Sequence, residues 1–248
     1  MESNIDKFTG KAENYEKFRP SYPIEILNSF YDYNLNQNSI IADIGSGTGK
    51  LTKIFLENGN IVYAVEPNDD MRNMAISTLN EYKNFISIKG SAEITTLQNK
   101  IIDFVTVGQA FHWFNPLKAL DEFKRILKNN GVLALVWNNG KTSSAFMQEY
   151  ENILDNIKNH NNKNHRDISD ETIEKYYSKD YKKLTVENIH ELNFNEILGR
   201  VLSSSCSPKE NTKEYYETRN LLKEIFNKYK QNDKIIIEYE TVIYIGRL

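Results

Sequence analysis

IIADIGSGTGKLT, residues 40–52, opens as an apolar run, reaches an acidic side chain at Asp43 and then places glycine at 45, 47 and 49. The residues beyond can start a helix. A buried strand that ends in so little side chain leaves its backbone open to close approach, and glycine tolerates positive φ. In an open α/β sheet, ligands sit outside the carboxyl ends of the strands, where the strand order switches. The stretch therefore predicts a first strand, a turn against which a nucleotide-like ligand can lie, and a helix.

The same alternation continues outward. Apolar runs at 39–44, 61–66, 85–90, 103–108 and 131–138 read as strands, most of them apolar on both faces as in a covered parallel sheet. Between them, 48–57, 69–82, 92–99 and 116–128 are predicted as helices. The acidic start of DDMRNMAISTLNEY suits a helix N-terminus, and KNNG at 128–131 reads as a glycine stop. Repeated strand and helix with short connections predicts a doubly wound α/β sheet. After 138 the pattern changes. Residues 144–159 read as a helix, NHNNKNHRDISD (159–170) as an exposed polar loop and 182–192 as a strand. NEILGRVLSSS and NTKEYYETRNLLKEIFNKYK read as helices, and the closing KIIIEYETVIYIGRL as a long strand. Residues 140–212 are read as an insertion mixed with late sheet elements, forming one wall of a pocket.

Bulk composition narrows the function classes. The 248 residues are 40% hydrophobic, enough for a core, and 31 Lys and Arg against 34 Asp and Glu leave a net charge of −3. No basic excess exists to hold a phosphate backbone, so nucleic acid is not the expected partner. One cysteine, Cys206, excludes an internal disulfide and suggests a reducing compartment. The polar start MESNIDKFTG is not read as a secretory signal, and no apolar run reaches the roughly 18 residues of a membrane span. A cytoplasmic protein is the expectation.

The loop spacing selects among nucleotide sites. A dinucleotide fingerprint is G-x-G-x-x-G; here the spacing is G-x-G-x-G and Lys50 stands where the third glycine would be. The phosphate-loop pattern is not kept either. Glu66, seventeen positions after Gly49, ends the second strand and can accept hydrogen bonds from both hydroxyls of a ribose. Pro67 biases it toward extended backbone. After the third strand, Ser91, Ala92 and Glu93 lie beside the expected position of an adenine.

DIGSGTG, VEPN, GSAEI and VGQAFHWF together resemble the class I S-adenosylmethionine-dependent methyltransferases, most of all the small-molecule branch known as methyltransferase type 11, which includes trans-aconitate methyltransferase-like enzymes. The likeness covers the N-terminal lead and 39–138 strongly, and the last third weakly. It implies a mostly parallel seven-stranded Rossmann-like sheet with an N-terminal lid helix and a helical insertion. One domain, 1–248, is implied, divided into a lid region 1–38, a cofactor-binding core 39–138, an acceptor-side region 139–212 and a closing helix and strand 213–248.

The resemblance also implies roles. Gly45, Ser46, Gly47 and Gly49 line the methionine part of the cofactor. Asp43 and Gln109 place its amino group, Glu66 holds the ribose with Pro67 beside it, and Ala92 and Glu93 flank the adenine. In the lead FTGKAENYEKFRPSYP (8–23), Tyr15 covers the sulfonium, Arg19 holds the methionine carboxylate and Phe8 faces the acceptor. His112 is the candidate to orient the acceptor or take its proton, with Trp113 as pocket wall, while Phe111 and Phe114 are core. Ser203, Ser205 and Arg200 are candidate acceptor contacts, and Cys206 stands where the branch often carries an aromatic. The implied reaction moves a methyl group from S-adenosylmethionine to a small-molecule carboxylate or hydroxyl, leaving S-adenosylhomocysteine, without a metal, in a monomer or homodimer. RNA or protein methylation, a non-catalytic cofactor-binding relative and a nicotinamide oxidoreductase are the alternatives.

Overall fold

Alternate residues of the first strand enter different cores. In this computed structural model, which describes residues 8–160, 169–177 and 181–248, Ile41 of β1 (Ile40–Ile44) joins a cluster with Phe30, Phe55 and Phe104, while Ala42 and Ile44 join another with Val105, Val107 and Leu133. The period of two along a strand makes this division, and burial on both faces is why β1 carries no polar residue before Asp43. The Phe30 ring meets Phe55 at 4.9 Å and Phe104 at 5.7 Å between centroids.

The chain runs from β1 through α3 (Lys50–Glu57), β2 (Ile61–Val65), α4 (Asp69–Leu79) and β3 (Phe85–Ile88), each strand parallel to the one before. It then returns to the other side of β1 as β4 (Ile102–Gly108), followed by α5 (Pro116–Ile126) and β5 (Leu127–Gly140). β6 (Lys182–Leu192) and β7 (Ile235–Gly246) finish a seven-stranded sheet in the order β3-β2-β1-β4-β5-β7-β6, with β7 antiparallel to both neighbours. The order switches between β1 and β4, so their carboxyl ends open a crevice. The predicted doubly wound, mostly parallel seven-stranded sheet is the observed one.

Helix limits follow local chemistry. Asn68 caps α4 by accepting from the Met71 N–H at 3.0 Å, and Asn115 caps α5 with Pro116 in its first turn. A reciprocal capping box of Asn193 and Glu196 starts α8 (Phe194–Leu202). α6 (Ala145–His160), α8 and α9 (Lys213–Tyr229) build a third apolar cluster with β7. In front of the sheet lie α1 (Ala12–Phe18) and α2 (Leu27–Tyr31), and the short α7 (Asp170–Glu174) precedes β6.

Two expectations change. Residues 92–99 form no helix: Thr95 gives both its N–H and its hydroxyl to Glu122, at 2.8 and 2.6 Å, and Thr96 sits at φ +65°. Hydrogen bonds from Arg125 pull the Glu122 carboxyl down to about 2, so this anchor is a carboxylate at every working pH. KNNG is no helix stop, because α5 ends at Ile126 and residues 128–131 bulge within β5, between the pairs Ile102–Leu127 and Phe104–Val132. Within residues 139–212, β6 is a full edge strand of the sheet at the limits read for it, 182–192. Most of the polar loop predicted at 159–170 lies outside the described residues.

Candidate cofactor and acceptor site

The glycine turn needs glycine for two separate reasons. Gly45 has φ +68°, and a Cβ there would meet the Ala110 Cβ at 2.8 Å, so the turn can lie on the 3₁₀ turn Phe111–Trp113 only without a side chain. Gly47, at φ +57°, has no atom within 4 Å of where its Cβ would be, because it borders open space. That space is a pair of adjoining cavities, of about 780 and 1020 Å³ where they open to solvent, at the carboxyl ends of β1, β2 and β4. Ligand sites of α/β sheets commonly take this position. Phe8, Tyr15, Gly45, Gly47, Gly108, Gln109 and Trp113 border both, so the lid and the glycine turn form the partition. Phe8 meets Tyr15 at 5.9 Å and Trp113 at 6.0 Å, both edge to face.

The first cavity is the more polar of the two. It is lined by Arg19, Asp43, Ser46, Thr48, Lys50 and His112, with Tyr22, Asn138 and Ser205. Asp43 is 1% exposed and accepts from the Thr52 hydroxyl at 2.6 Å and the Thr106 hydroxyl at 3.1 Å. Burial nevertheless pushes its carboxyl up to about 6. Arg19 Nε, Ser46 Oγ and Thr48 Oγ1 are buried without a hydrogen-bond partner. The residues that carry these unpaired donors all line the cavity, and such donors suit an anionic oxygen.

The second cavity is mostly apolar. Pro67, Met71, Ala92 and Phe114 line it, with Glu66, Ser91 and Glu93 at its rim. Glu66 accepts from the Gly47 N–H at 2.9 Å and the Asn68 N–H at 2.8 Å. The turn and the acidic residue read separately in the sequence are thus joined through one hydrogen bond. Burial raises the Glu66 carboxyl, and the two backbone donors oppose that rise. Each of its oxygens keeps a lone pair for a ligand hydroxyl. Glu93 accepts from the Asn115 N–H at 2.8 Å, which fixes its carboxylate at the start of α5. Gln109, at φ +54°, donates from Nε2 to the Asn138 carbonyl at 3.0 Å.

Phe8, Tyr15, Arg19, Asp43, Gly45, Ser46, Gly47, Glu66, Pro67, Ala92, Glu93, Gln109, His112, Trp113 and Ser205 are brought together around the two cavities. Four expectations are corrected. Gly49 lines neither cavity; it starts α3 in the left-handed conformation against Leu79. Ser203 is fully buried, its hydroxyl bonded to the Arg200 carbonyl at 2.7 Å, so it cannot touch an acceptor. Arg200 is 6% exposed and spends its guanidinium on the Phe18 carbonyl and the Tyr239 hydroxyl. Phe111 is core, but Phe114 borders the second cavity. Sequence reasoning missed Tyr22, Lys50, Met71 and Asn138. Tyr22 was within reach, because it stands in the lead segment three residues after Arg19.

A glycine turn on a switched seven-stranded sheet, bound to an acidic residue at the next strand end, narrows the comparison. Residues 42–135 match the family model described as a methyltransferase domain. Over that stretch the chain is similar to methyltransferase domains. It is 34% identical over 140 residues to an uncharacterized methyltransferase of Mycobacterium tuberculosis, covering 56% of this chain and 55% of that protein. An uncharacterized methyltransferase of Schizosaccharomyces pombe is 33% identical over 150 residues, 60% of this chain and 59% of that one. The chain thus matches little more than half the length of these curated relatives. Among solved structures, one from Anaeromyxobacter dehalogenans, described provisionally as a type II methyltransferase, superposes with a TM-score of 0.70 at 17% identity, over 93% of this chain and 98% of that one. That likeness is one of fold, and it extends over most of the chain. Among the described residues, no helix is long and apolar enough to cross a membrane.

Proposed function

We propose that this chain is an S-adenosylmethionine-dependent methyltransferase acting on a small-molecule acceptor, with S-adenosylhomocysteine as the second product. The observation that carries the reading is that Arg19, Ser46 and Thr48, each with a buried polar atom that lacks a partner, line the polar cavity, while Glu66 lines the apolar one. The two ends fit an amino-acid carboxylate and a nucleoside. When bound, the cofactor supplies an electrophilic methyl group on a sulfonium.

The chain's own residues bind, orient and exclude water. Arg19 with the Ser46 and Thr48 hydroxyls takes the carboxylate, and Asp43 and the Gln109 carbonyl face the ammonium. Glu66 accepts from the ribose hydroxyls, while Met71, Ala92 and Phe114 flank the purine. Phe8, Tyr15 and Trp113 line the partition where the sulfonium would sit, and their π faces attract a cation. With α1 laid across both cavities, water is kept from the reacting centre, and alignment supplies much of the rate. His112, in the polar cavity and 4.7 Å from the Trp113 ring, orients the acceptor and accepts its proton where that acceptor is a hydroxyl or amine. A carboxylate acceptor needs no base. The small-molecule assignment rests on the lid over both cavities, the net charge of −3 and the likeness of the lead segment to the trans-aconitate branch. A cytoplasmic setting is part of this reading, and the single cysteine supports it.

The experiment is release of S-adenosylhomocysteine from S-adenosylmethionine, measured over panels of small carboxylates, hydroxyls and amines, and over RNA and peptides. Turnover on a member of a small-molecule panel supports the reading. Turnover confined to RNA or peptides, or none by protein that binds the cofactor, refutes it. With a hydroxyl acceptor, His112→Ala lowers turnover and leaves cofactor affinity unchanged.

A further inference from the structure

Arg19 stands in a segment whose backbone is gripped from four elements. The Glu16 carbonyl accepts from Lys50 Nζ of α3. The Phe18 carbonyl accepts from Arg200 Nε of α8 at 2.8 Å. The Ser21 carbonyl accepts from Asn188 Nδ2 of β6 at 2.8 Å and from Asn138 Nδ2 of β5 at 3.2 Å. Arg200 and Asn188 are each 6% exposed. Each is fixed in turn, Arg200 by donating to the Tyr239 hydroxyl at 3.1 Å and Asn188 by donating to Asn138 Oδ1 at 3.2 Å. The Phe18 ring lies directly on Gly199, where a Cβ would overlap it.

Burying a guanidinium costs several kcal/mol unless fixed acceptors meet it. Docking a seven-residue helix does not demand that expense, since apolar contacts would serve. What the arrangement does supply is a fixed backbone on both sides of one residue. Arg19 itself is extended, at φ −67° and ψ 143°, with its guanidinium 5.4 Å from the Tyr15 ring and only a 3.5 Å contact from Nη2 to the Ser203 carbonyl. Its direction is therefore set by its backbone more than by partners of its own.

We infer that Arg200 and Asn188, which line neither cavity, are positioning residues for Arg19, holding the carbonyls at 18 and 21 so that its guanidinium points at an amino-acid carboxylate. The inference rests on the reading of Arg19 as the carboxylate's partner. A merely structural role would support the lid as a whole and so affect any ligand beneath it. A positioning role affects only ligands that carry the carboxylate.

The test compares S-adenosylhomocysteine with 5′-methylthioadenosine, which shares the nucleoside and thioether but lacks the amino-acid tail, by calorimetric titration. Arg200→Ala is expected to weaken S-adenosylhomocysteine about tenfold, the scale of one charge-assisted hydrogen bond, and to leave methylthioadenosine within about twofold. Asn188→Ala shifts the first ligand in the same direction and carries the test should Arg200→Ala fail to fold. Adding Arg200→Ala to Arg19→Ala weakens S-adenosylhomocysteine no further. Equal weakening of both ligands, no weakening of either, or full additivity in the double variant overturns the inference and leaves the functional reading standing. Failure of the wild-type protein to bind either ligand overturns both.

Discussion

Asp43→Asn should stabilise the free protein while weakening its ligand. Asp43 is 1% exposed, and burial holds its carboxyl at about 6 against an ordinary 3.8. A folded-state value above the unfolded one means that stability is lost as pH rises between the two. The distance from 3.8 to about 6 corresponds to about 3 kcal/mol lost by pH 7. Asparagine keeps the shape and removes the charge. Its Oδ1 can accept from one threonine hydroxyl, and its Nδ2 can donate to the other, because a hydroxyl both gives and accepts. The net gain above pH 7 should be about 1–3 kcal/mol, or roughly 2–10 °C in melting temperature for a chain of this length. Thermal unfolding of both proteins from pH 4 to 8 measures it. The difference should be near zero at pH 4, grow through pH 6 and then level off. A flat difference, or a variant less stable at pH 8, would refute the reasoning. Binding supplies the counterpart: the variant loses affinity for S-adenosylhomocysteine, whose ammonium the charge would meet, and keeps that for methylthioadenosine.

Gly45→Ala forces a side chain into both the left-handed region and the Ala110 Cβ at 2.8 Å, and should cost about 2–4 kcal/mol by denaturant unfolding; a loss below half a kcal/mol would contradict the packing described. Glu66→Gln turns an amide NH₂ toward one of the two backbone donors at 2.8 and 2.9 Å, so stability should drop by about 1–3 kcal/mol with a parallel loss of nucleoside affinity. Gly199→Ala pushes the Phe18 ring away from α8, and limited proteolysis should then cut within residues 8–23 faster than in the wild type, with the sheet still folded. Equal cleavage rates would show that the lid docks by other contacts.

Much of this was legible in the sequence because its signals are local. The alternation of short apolar runs with amphipathic segments reports strand and helix directly, and β6 appeared at its observed limits, Lys182–Leu192. The glycine turn and Glu66 were separately visible; the bond from Gly47 to Glu66 that unites them was not, because it spans two strands. The failures are of the same kind. Residues 92–99 have acceptable helical chemistry, and only Glu122 on a distant helix draws Thr95 out of it. Arg200 and Ser203 lie in a segment that looked like an acceptor wall, yet packing of α8 under the lid turns them inward. A serine's orientation and a buried arginine's partner depend on tertiary contacts, and no spacing rule contains those.

The most direct measurement is calorimetric titration of the wild-type protein and of Glu66→Ala with S-adenosylmethionine, S-adenosylhomocysteine and NADH. The account predicts that the wild-type protein binds both sulfur ligands, that the Glu66 variant loses most of that affinity, and that NADH binds neither protein. Folded wild-type protein that ignores both sulfur ligands, or that prefers NADH, would contradict it.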